Sequence, residues 1–271
     1  MSSRRARPPE AVVEERRQDV LRHVIEHGEA RIDELGERFG VSLMTMHRDL
    51  DDLAERGLLR KLRGKVAAFP ALTMEIAARF REGLHLTEKE ALGAAAVGEI
   101  SAGQTVFVDC STTVFPLVNR MREIEPLTVV TNSLRVVRIL GPCQGIETVL
   151  IGGRYNNEFD SCAGPDVVDA LGDIRADVGF ISATAVAGGR LFHPVQDYAA
   201  LKNAARGSVH RNVLLVDHSK FGKTATYAHG EVSDYDLVIV DSRTPEDEID
   251  AMIELGAAVR VVALEETAKE E

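Results

Sequence analysis

A chain of 271 residues is long enough to form one small and one larger domain. Hydrophobic residues make up 45% of it, which predicts a buried core, and no apolar run approaches the roughly 20 residues of a membrane-spanning helix. The basic N-terminus lacks the apolar stretch of a secretory signal, and the three cysteines are too scattered for a disulfide framework, so we expect a cytoplasmic protein.

The net charge of −11 is unevenly distributed along the chain. Residues 1–69 carry 14 Lys and Arg against 13 Asp and Glu, whereas the remaining residues carry 18 against 30. The first segment ends in a basic run without an acid in it: Arg56, Arg60, Lys61, Arg63 and Lys65. Such runs are more often only solvated surface. Because phosphate neutralisation depends on local charge, however, this run also suits a nucleic-acid surface.

The first segment contains three apolar stripes at helical spacing. The first stripe runs from Val13 to Glu26, and the second ends at Gly40. The second stripe consists of Ile32, Leu35 and Phe39. Ser42 can cap a third helix, because its hydroxyl can accept a hydrogen bond from an amide of the first turn. The inward-facing stripe of that helix consists of Met46, Leu50 and Leu53.

Two short strand-like runs, 58–62 and 66–69, follow the third helix. They enclose Arg63, Gly64 and Lys65, and Gly64 can adopt the positive φ that a tight turn often needs. Three helices followed by a basic hairpin is the order of a winged helix-turn-helix. Residues 1–69 are therefore predicted to be a DNA-binding domain.

The residues predicted to contact DNA lie early in the third helix and in the hairpin. The first turns of a recognition helix reach base edges in the major groove, where Arg48 can bond a guanine bidentately. Two alternatives stay open: Arg48 could instead pair with Asp51 or Asp52, and His47 could make no base contact. The predicted DNA-binding residues are Ser42, Thr45, His47, Arg48, Lys61, Arg63 and Lys65.

The third helix and the residues after it resemble the N-terminal signature of DeoR-type bacterial transcriptional regulators, the group that is similar to the glycerol-3-phosphate regulon repressor. The signature residues are Val41, Ser42, Thr45, Arg48, Asp49, Leu50, Leu53, Gly57, Leu58 and Leu59. His47 stands where the family usually has a second arginine, and Arg63-Gly64-Lys65 stands where His-Gly-Gly is common. These departures bear on which operator sequence is read.

Residues 70–87 are predicted to be a linker, and residues 88–271 an α/β effector domain. Runs rich in Val and Ile alternate with helical stretches, which predicts βαβ units with strands buried on both faces. The predicted strands are Thr105–Val108, Leu127–Thr131, Thr148–Ile151, Val178–Ser182, Asn212–Val216, Leu237–Val240 and Val259–Ala263. We therefore expect a mostly parallel sheet flanked by helices.

Four loops follow predicted strands, at the carboxyl edge where parallel sheets bind ligands. The first loop offers three hydroxyl groups and the amides of a helix N-terminus, which suit a phosphate. Plain helix capping by Asp109 or Ser111 is the alternative interpretation of that loop. The predicted effector-binding residues are Asp109, Ser111, Thr112, Thr113, Asn132, Gly152, Gly153, Arg154 and Lys220.

These loops also resemble the DeoR-type effector domain, so the resemblance covers nearly the whole chain. Ser111 replaces the usual glycine of the Asp-x-Gly-Thr-Thr loop, and residues 217–221 match Asp-His-Ser-Lys-Phe. The resemblance implies the fold of sugar-phosphate isomerases and a phosphorylated sugar or related metabolite as effector. It also implies repression of sugar-utilisation genes that the effector relieves. Half-site recognition of double-stranded operator DNA predicts a homodimer or homotetramer.

Two other functions stay open. A sugar-phosphate isomerase or deaminase with an accessory DNA-binding domain would share the fold, with Asp109 as a candidate base. Tyr198 stands where the family often has an acidic residue, which weakens the enzyme interpretation. The α/β domain could also serve only to dimerise the protein. We expect no catalytic residues, no cofactor and no metal site, since His193, His218 and His229 lack metal-ligand spacing.

Overall fold

The computed structural model describes residues 13, 16, 17, 19–21, 23, 24, 28–55, 58–68 and 81–264. It divides into two compact units, Met1–Leu84 and His85–Glu271. Most of the predicted linker lies outside the described residues, as do Arg56, Gly57 and Phe69. The division into residues 1–69, 70–87 and 88–271 stays a prediction.

The described part of the first unit contains two helices with defined ends and three strands. The helices and the hairpin follow one another in the predicted order. The helices are α1 (Ile32–Arg38) and α2 (Leu43–Glu55), and the strands are β1 (Glu29–Arg31), β2 (Leu59–Leu62) and β3 (Lys65–Ala68). The strands form an antiparallel sheet in the order β1-β3-β2. The described residues between 13 and 24 are helical, as predicted. Strand β1 was not predicted, because three residues are too few for a periodic signal.

The predicted apolar stripes form the core of this unit. Its fully buried side chains are Val20, Leu21, Val24, Ile32, Leu35, Met46, Leu50, Leu53, Leu59 and Val66. Gly40 and Gly64 have φ angles of 64° and 73°, a left-handed conformation that glycine adopts without a Cβ clash. The helix stop and the hairpin turn therefore lie where the sequence predicted them.

The second unit is built on a parallel sheet of seven strands, in the order β15-β14-β12-β9-β4-β5-β6. These strands are β4 (Thr105–Val108), β5 (Leu127–Thr131), β6 (Ile146–Leu150), β9 (Ala176–Ile181), β12 (Val209–Val216), β14 (Leu237–Asp241) and β15 (Val259–Val262). All seven predicted strands are confirmed, with bounds that move by at most three residues. Val106 and Phe107 point to opposite faces and are both fully buried, so the sheet is covered on both sides.

Helices connect the strands and cover the sheet. They are α3 (Leu86–Ala96), α4 (Phe115–Met121), α5 (Leu134–Leu140), α6 (Pro165–Gly172), α7 (Gln196–Gly207) and α8 (Glu246–Glu254). Side chains of α3, α4 and α5 share one core cluster with alternate residues of the central strands. No helix in the described part of the chain is long and apolar enough to cross a bilayer.

Five short strands outside the main sheet were not predicted. They are β7 (Arg154–Asn156), β8 (Ser161–Ala163), β10 (Ala185–Ala187), β11 (Arg190–His193) and β13 (Tyr227–Glu231). The first two form a hairpin, and the other three form a small sheet in the order β10-β11-β13. Four of them have only three or four residues, and Gly230 interrupts the pattern of β13, so sequence periodicity carries little signal for them.

Candidate functional site

The beginning of α2 is fixed by Ser42, as predicted. The Thr45 amide donates to Ser42 Oγ at 3.2 Å, and the hydroxyl oxygens of these two residues lie 2.9 Å apart. This cap satisfies an amide that has no partner within the helix. Leu43 and Met44 follow the cap and are 51% and 75% exposed. The first turn of α2 therefore presents an apolar surface to solvent.

Arg48 is exposed on α2 and forms no ion pair within the described residues. The two acids that could have paired with it have other partners. Lys61 Nζ lies 2.5 Å from Asp51 Oδ1, and Arg17 Nη1 lies 3.0 Å from Asp52 Oδ2. The alternative of a surface pair between Arg48 and one of these acids is therefore not observed in this part of the chain.

Asp49 joins α2 to the N-terminal helical segment. Its side chain is 2% exposed, and its two oxygens accept hydrogen bonds from Arg16 Nε at 2.8 Å and Arg17 Nε at 3.1 Å. A buried carboxylate needs such partners because its desolvation is costly. Sequence reasoning gave Asp49 no role of its own. The sequence signal that could have revealed its role is an acidic residue on the same helix face as the apolar stripe of α2.

The cations of the hairpin differ in their partners. Lys61, which holds the acid on α2, also lies 3.4 Å from His47 Nδ1, and Lys65 Nζ donates to Glu29 Oε1 at 2.6 Å. Arg63 is exposed at the turn and has no acidic partner among the residues described. Exposed lysine pairs contribute at most about 1 kcal/mol each. Phosphate groups can therefore replace these carboxylates at little cost.

The four predicted ligand loops lie at one edge of the large sheet. The loop from Asp109 to Thr113 follows β4, Asn132 follows β5, Gly152 and Gly153 follow β6, and Lys220 follows β12. These strands run parallel within a set of five adjacent strands, of which β9 is the fifth. Their carboxyl ends therefore meet at the same edge. Ligand binding there stays a prediction.

A buried ion pair lies at the centre of this edge. Asp109 and Lys202 are 0% and 3% exposed, and Lys202 Nζ forms a short contact with Asp109 Oδ2. The same carboxylate accepts hydrogen bonds from the Ser111 amide at 2.8 Å, the Ser111 hydroxyl at 2.9 Å and the Ser182 amide at 3.3 Å. Lys202 also donates to the Ser182 carbonyl at 2.8 Å. The carboxylate is thus fully engaged by its own chain.

A second buried lysine reaches the same loop. Lys89 on α3 is 3% exposed, and its Nζ donates to Thr112 Oγ1 at 3.1 Å. Thr113 is also buried. Sequence reasoning missed both Lys89 and Lys202 as site residues, because each lies on a helix and approaches the loop only through the tertiary fold. Two buried ammonium groups therefore flank the predicted phosphate loop.

Asn132 is completely buried at the end of β5. Its Nδ2 donates to the Cys162 carbonyl at 2.9 Å, whereas its Oδ1 has no hydrogen-bond partner within the described residues. Ser133 Oγ accepts from the Val136 amide at 3.4 Å and caps α5. An unpartnered buried acceptor is costly, so Asn132 Oδ1 is suited to accept a hydrogen bond from a ligand or water.

The glycine pair after β6 has a structural explanation in part. A Cβ built on Gly153 would lie 2.6 Å from Val167 Cγ2 and 3.2 Å from the Ala163 carbonyl oxygen, so packing requires glycine there. Gly152 has open space around it. Arg154 is 76% exposed, and its Nη1 lies 3.3 Å from Asp197 Oδ2. Packing therefore accounts for Gly153 without a ligand.

The loop after β12 contains a buried aspartate next to the predicted Lys220. Asp217 is completely buried, and the Ser219 amide donates to its Oδ1 at 3.1 Å. Burial alone would raise the pKa of Asp217, but Lys220, Ser219 and His85 together hold this pKa below its ordinary value. Asp217 is therefore an anion at neutral pH, and its charge offsets that of Lys220.

Tyr198 is the residue that the family resemblance placed where an acid often stands. It is buried, its ring stacks on that of His193 with centroids 5.2 Å apart, and its hydroxyl lies 2.8 Å from Ser161 Oγ. Its neighbour Asp197 is partly exposed and contacts Arg154. Neither residue supplies a buried carboxylate to the sheet edge.

His229 on β13 is completely buried, and neither ring nitrogen has a hydrogen-bond partner within the described residues. Desolvation, together with the positive charges of Lys202 and Arg206, lowers its pKa to about 3. Its imidazole is therefore neutral in the folded protein. Sequence reasoning assigned it only a structural role.

Comparison with protein families identifies both units. A DeoR-like helix-turn-helix domain matches residues 16–69, and a DeoR C-terminal sensor domain matches residues 84–242. The chain belongs to the DeoR family. The predicted resemblance is thereby confirmed, and the protein is a DeoR-family transcriptional regulator with a sensor domain.

Curated relatives of this DeoR-family chain are similar over most of its length. An uncharacterised HTH-type transcriptional regulator of Escherichia coli K12, YgbI, is 30% identical over 247 residues, which cover 91% of this chain and 97% of the relative. The glycerol-3-phosphate regulon repressor of the same strain is 29% identical and covers 85% and 92%. A putative aga operon transcriptional repressor of E. coli O157:H7 is 25% identical and covers 92% and 93%.

Solved structures are more distant. Ribose 5-phosphate isomerase A of Neisseria gonorrhoeae matches with a TM-score of 0.35 and 12% identity, over 49% of this chain and 52% of the isomerase. Translation initiation factor eIF-2B of Pyrococcus horikoshii matches with a TM-score of 0.40 and 11% identity, over 83% and 78%. Likenesses this weak carry no argument about function.

The Asp109–Lys202 pair can be tested by removing one charge and then both. Lys202→Met leaves a buried carboxylate without its counter-charge, so we expect the free energy of unfolding to fall by about 3–5 kcal/mol. The double variant Asp109→Asn/Lys202→Met is expected to recover a large part of this loss. Urea unfolding followed by circular dichroism measures both. If the loss in the double variant equalled the sum of the losses in Asp109→Asn and Lys202→Met, the two charges would not be coupled.

His229 predicts a component of acid sensitivity. Its pKa is about 3 in the folded protein, and the ordinary value is 6.5. Unfolding therefore takes up a proton below pH 6.5, and the free energy of unfolding decreases as the pH is lowered. Between pH 7 and pH 5 this lowers the free energy of unfolding by about 2 kcal/mol. His229→Leu should remove that component from unfolding curves measured at both values. The matched control, His210→Leu at an exposed position, should retain it; an unchanged pH dependence in His229→Leu would contradict the assignment.

Proposed function

We propose that this protein represses genes of sugar or related metabolism by binding operator DNA through α2 and the hairpin. A phosphorylated sugar-like effector, bound at the carboxyl edge of the large sheet, releases the DNA. The observation that carries the proposal is an exposed arginine, Arg48, on the outer face of a capped helix in a DeoR-like helix-turn-helix domain, with no acidic partner among the described residues. The names of two relatives, the glycerol-3-phosphate regulon repressor and the putative aga operon repressor, support this class of effector.

The surface of the first unit supports contact with a duplex. Arg48, Arg60 and Arg63 are exposed, and no carboxylate within the described residues pairs with them. Arginine in the major groove reads guanine, and cations on a hairpin neutralise phosphates. Leu43 and Met44, exposed at the start of α2, are suited to contact thymine methyl groups. The first unit thus offers both base readout and backbone positioning.

The sheet edge supports an anionic effector. Lys89 and Lys202 flank the loop that carries Thr112 and Thr113, and Lys220 follows β12, which β9 separates from β4. Hydroxyl groups together with buried ammonium groups recognise a phosphate, while Asn132 is suited to a sugar hydroxyl. Effector binding shifts the population of DNA-competent molecules only if it differs in affinity for the two states.

Several further expectations belong to the same proposal. The protein has no catalytic activity, because the carboxylate of Asp109 is neutralised by Lys202. It requires no cofactor for operator binding. It acts in the cytoplasm as a homodimer or homotetramer, since two-fold operators match even-numbered assemblies. Its DNA-binding domain covers residues 1–69 and its effector domain 88–271. Turnover of any phosphosugar by the purified protein would overturn the first of these.

The contact between Arg48 and a base edge can be tested on the full-length protein. Arg48→Ala should weaken binding to the cognate promoter by about 1–3 kcal/mol and relax specificity at one base pair. Fluorescence anisotropy with the promoter and with single-base variants measures both. The control is Arg175→Ala, at an exposed arginine of the second unit, which should bind as the unchanged protein does.

The same assay separates phosphate contacts from base contacts. Lys65→Ala should lower the slope of log affinity against log salt by about one while keeping the base preference. Unchanged promoter binding by Arg48→Ala would show that α2 is not the recognition helix.

The effector class can be tested by thermal shift with phosphorylated sugars and polyols and with their unphosphorylated parents. A phosphorylated ligand at about 100 times its Kd should stabilise the protein by about 2.7 kcal/mol, whereas the parents should not. Lys89→Met should abolish the shift and Lys223→Met, at an exposed lysine, should keep it. Operator binding without any ligand-induced shift would favour a sensor domain that only dimerises.

A further inference from the structure

Three metal-ligating side chains of the second unit converge from distant parts of the sequence. One ligand atom each of His85, Glu88 and His218 lie within 4.8 Å of one another. His85 immediately precedes α3, Glu88 lies in its first turn, and His218 begins the 3-10 turn after β12. The cluster involves none of the residues predicted to bind DNA or effector, and the absence of local spacing hid it from sequence analysis.

We propose that His85, Glu88 and His218 bind a divalent transition metal ion, with Zn²⁺ as the reference case. Two imidazole nitrogens and one carboxylate oxygen favour cations of this class over Mg²⁺ and Ca²⁺, which prefer oxygen ligands. Three protein ligands leave a fourth tetrahedral position for water or an oxygen of another ligand. This proposal does not depend on the function proposed above.

His218 contacts a buried carboxylate, and its Nδ1 also lies 4.0 Å from Glu88 Oε1. Its Nδ1 lies 3.1 Å from Asp241 Oδ1, and Asp241 is completely buried. The His218 amide donates to Asp241 Oδ2 at 2.7 Å and the Arg243 amide donates to Asp241 Oδ1 at 3.0 Å, which fix the carboxylate. A carboxylate that accepts from Nδ1–H leaves Nε2 with its lone pair and makes it a better ligand.

His85 lies against the ring of His218. Its side chain is partly buried. Its φ is 53°, a left-handed conformation that is uncommon for residues other than glycine. Its ring meets that of His218 edge-on, with centroids 5.4 Å apart.

Charges of both signs lie around the cluster: Glu88, Asp217 and the buried Asp241 are acidic, and Arg243 and Lys220 are basic. Arg243 Nη1 donates to Glu88 Oε1 at 2.6 Å, but the arginine side chain is 62% exposed and the carboxylate has a second oxygen. Asp217 and Lys220 act on the pKa of His85 in opposite directions. Asp217 Oδ2 is buried without a hydrogen-bond partner within the described residues. Metal affinity must therefore come from the donor atoms, with this oxygen as an additional acceptor nearby.

The cluster needs a modest contraction to enclose an ion. Tetrahedral bonds of about 2.0–2.1 Å place ligand atoms about 3.3 Å apart. The present limit of 4.8 Å therefore closes by about 1.5 Å at most.

The experiment uses the full-length protein after removal of metals with a chelator. Titration calorimetry with Zn²⁺ should give one site per chain, and Co²⁺ should produce the intense visible absorption of a tetrahedral complex with nitrogen ligands. His85→Ala and His218→Ala should each lower the Zn²⁺ affinity by more than about tenfold. Chelator-treated melting curves show whether each variant is folded, and two ligand variants guard against the failure of one.

Two controls separate this site from weak surface binding. His210→Ala changes an exposed histidine outside the cluster and should keep the affinity. Arg243→Gln frees Glu88 from its ion pair and should keep or raise it. The proposal would be overturned if the unchanged protein bound neither Zn²⁺ nor Co²⁺. It would also be overturned if His85→Ala and His218→Ala bound Zn²⁺ as tightly as the unchanged protein does. Loss of operator binding with the metal site intact would instead affect only the proposed function.

Discussion

The buried ion pair of Asp109 and Lys202 joins three elements of the sensor unit. Asp109 directly follows β4, Lys202 lies on α7, and the lysine also donates to the Ser182 carbonyl after β9 at 2.8 Å. Each charge is excluded from water, so each depends on the other, and loss of either leaves a bare charge in a medium of low dielectric constant. The Ser111 loop binds the same carboxylate through its amide and hydroxyl. The conformation of the predicted phosphate loop therefore depends on this pair.

The DNA-binding unit contains a comparable arrangement. Arg16 and Arg17 hold the buried carboxylate of Asp49 and so fix the rotation of α2 about its own axis. Successive helical residues are about 100° apart, so a buried Asp49 turns its neighbour Arg48 away from the core. In each unit, a buried acid that could be mistaken for a catalytic residue positions a neighbouring loop or side chain. The exposed residue beside it is then available for recognition.

The fold could be predicted where burial imposes a pattern on consecutive residues. Val106 and Phe107 are both buried because the sheet is covered on both faces, and that is why β4 reads as an uninterrupted apolar run. The same reasoning found all seven strands of the parallel sheet, and glycine geometry found the turn at Gly64. It missed β1, whose three residues are stabilised by pairing with the distant strand β3. Long-range pairing leaves no local periodicity.

The candidate site was predictable in its loops and not in the helices that serve them. Asp109 follows a strand and so was expected at the edge, whereas Lys89 and Lys202 reach Thr112 and Asp109 across 23 and 93 residues of sequence. That difference bears on function. A general base needs a free lone pair near its substrate, but Asp109 is occupied by a lysine, two amides and a hydroxyl. Asp109 is therefore not placed to remove a proton from a ligand, and this is the physical basis for proposing a receptor and not an isomerase.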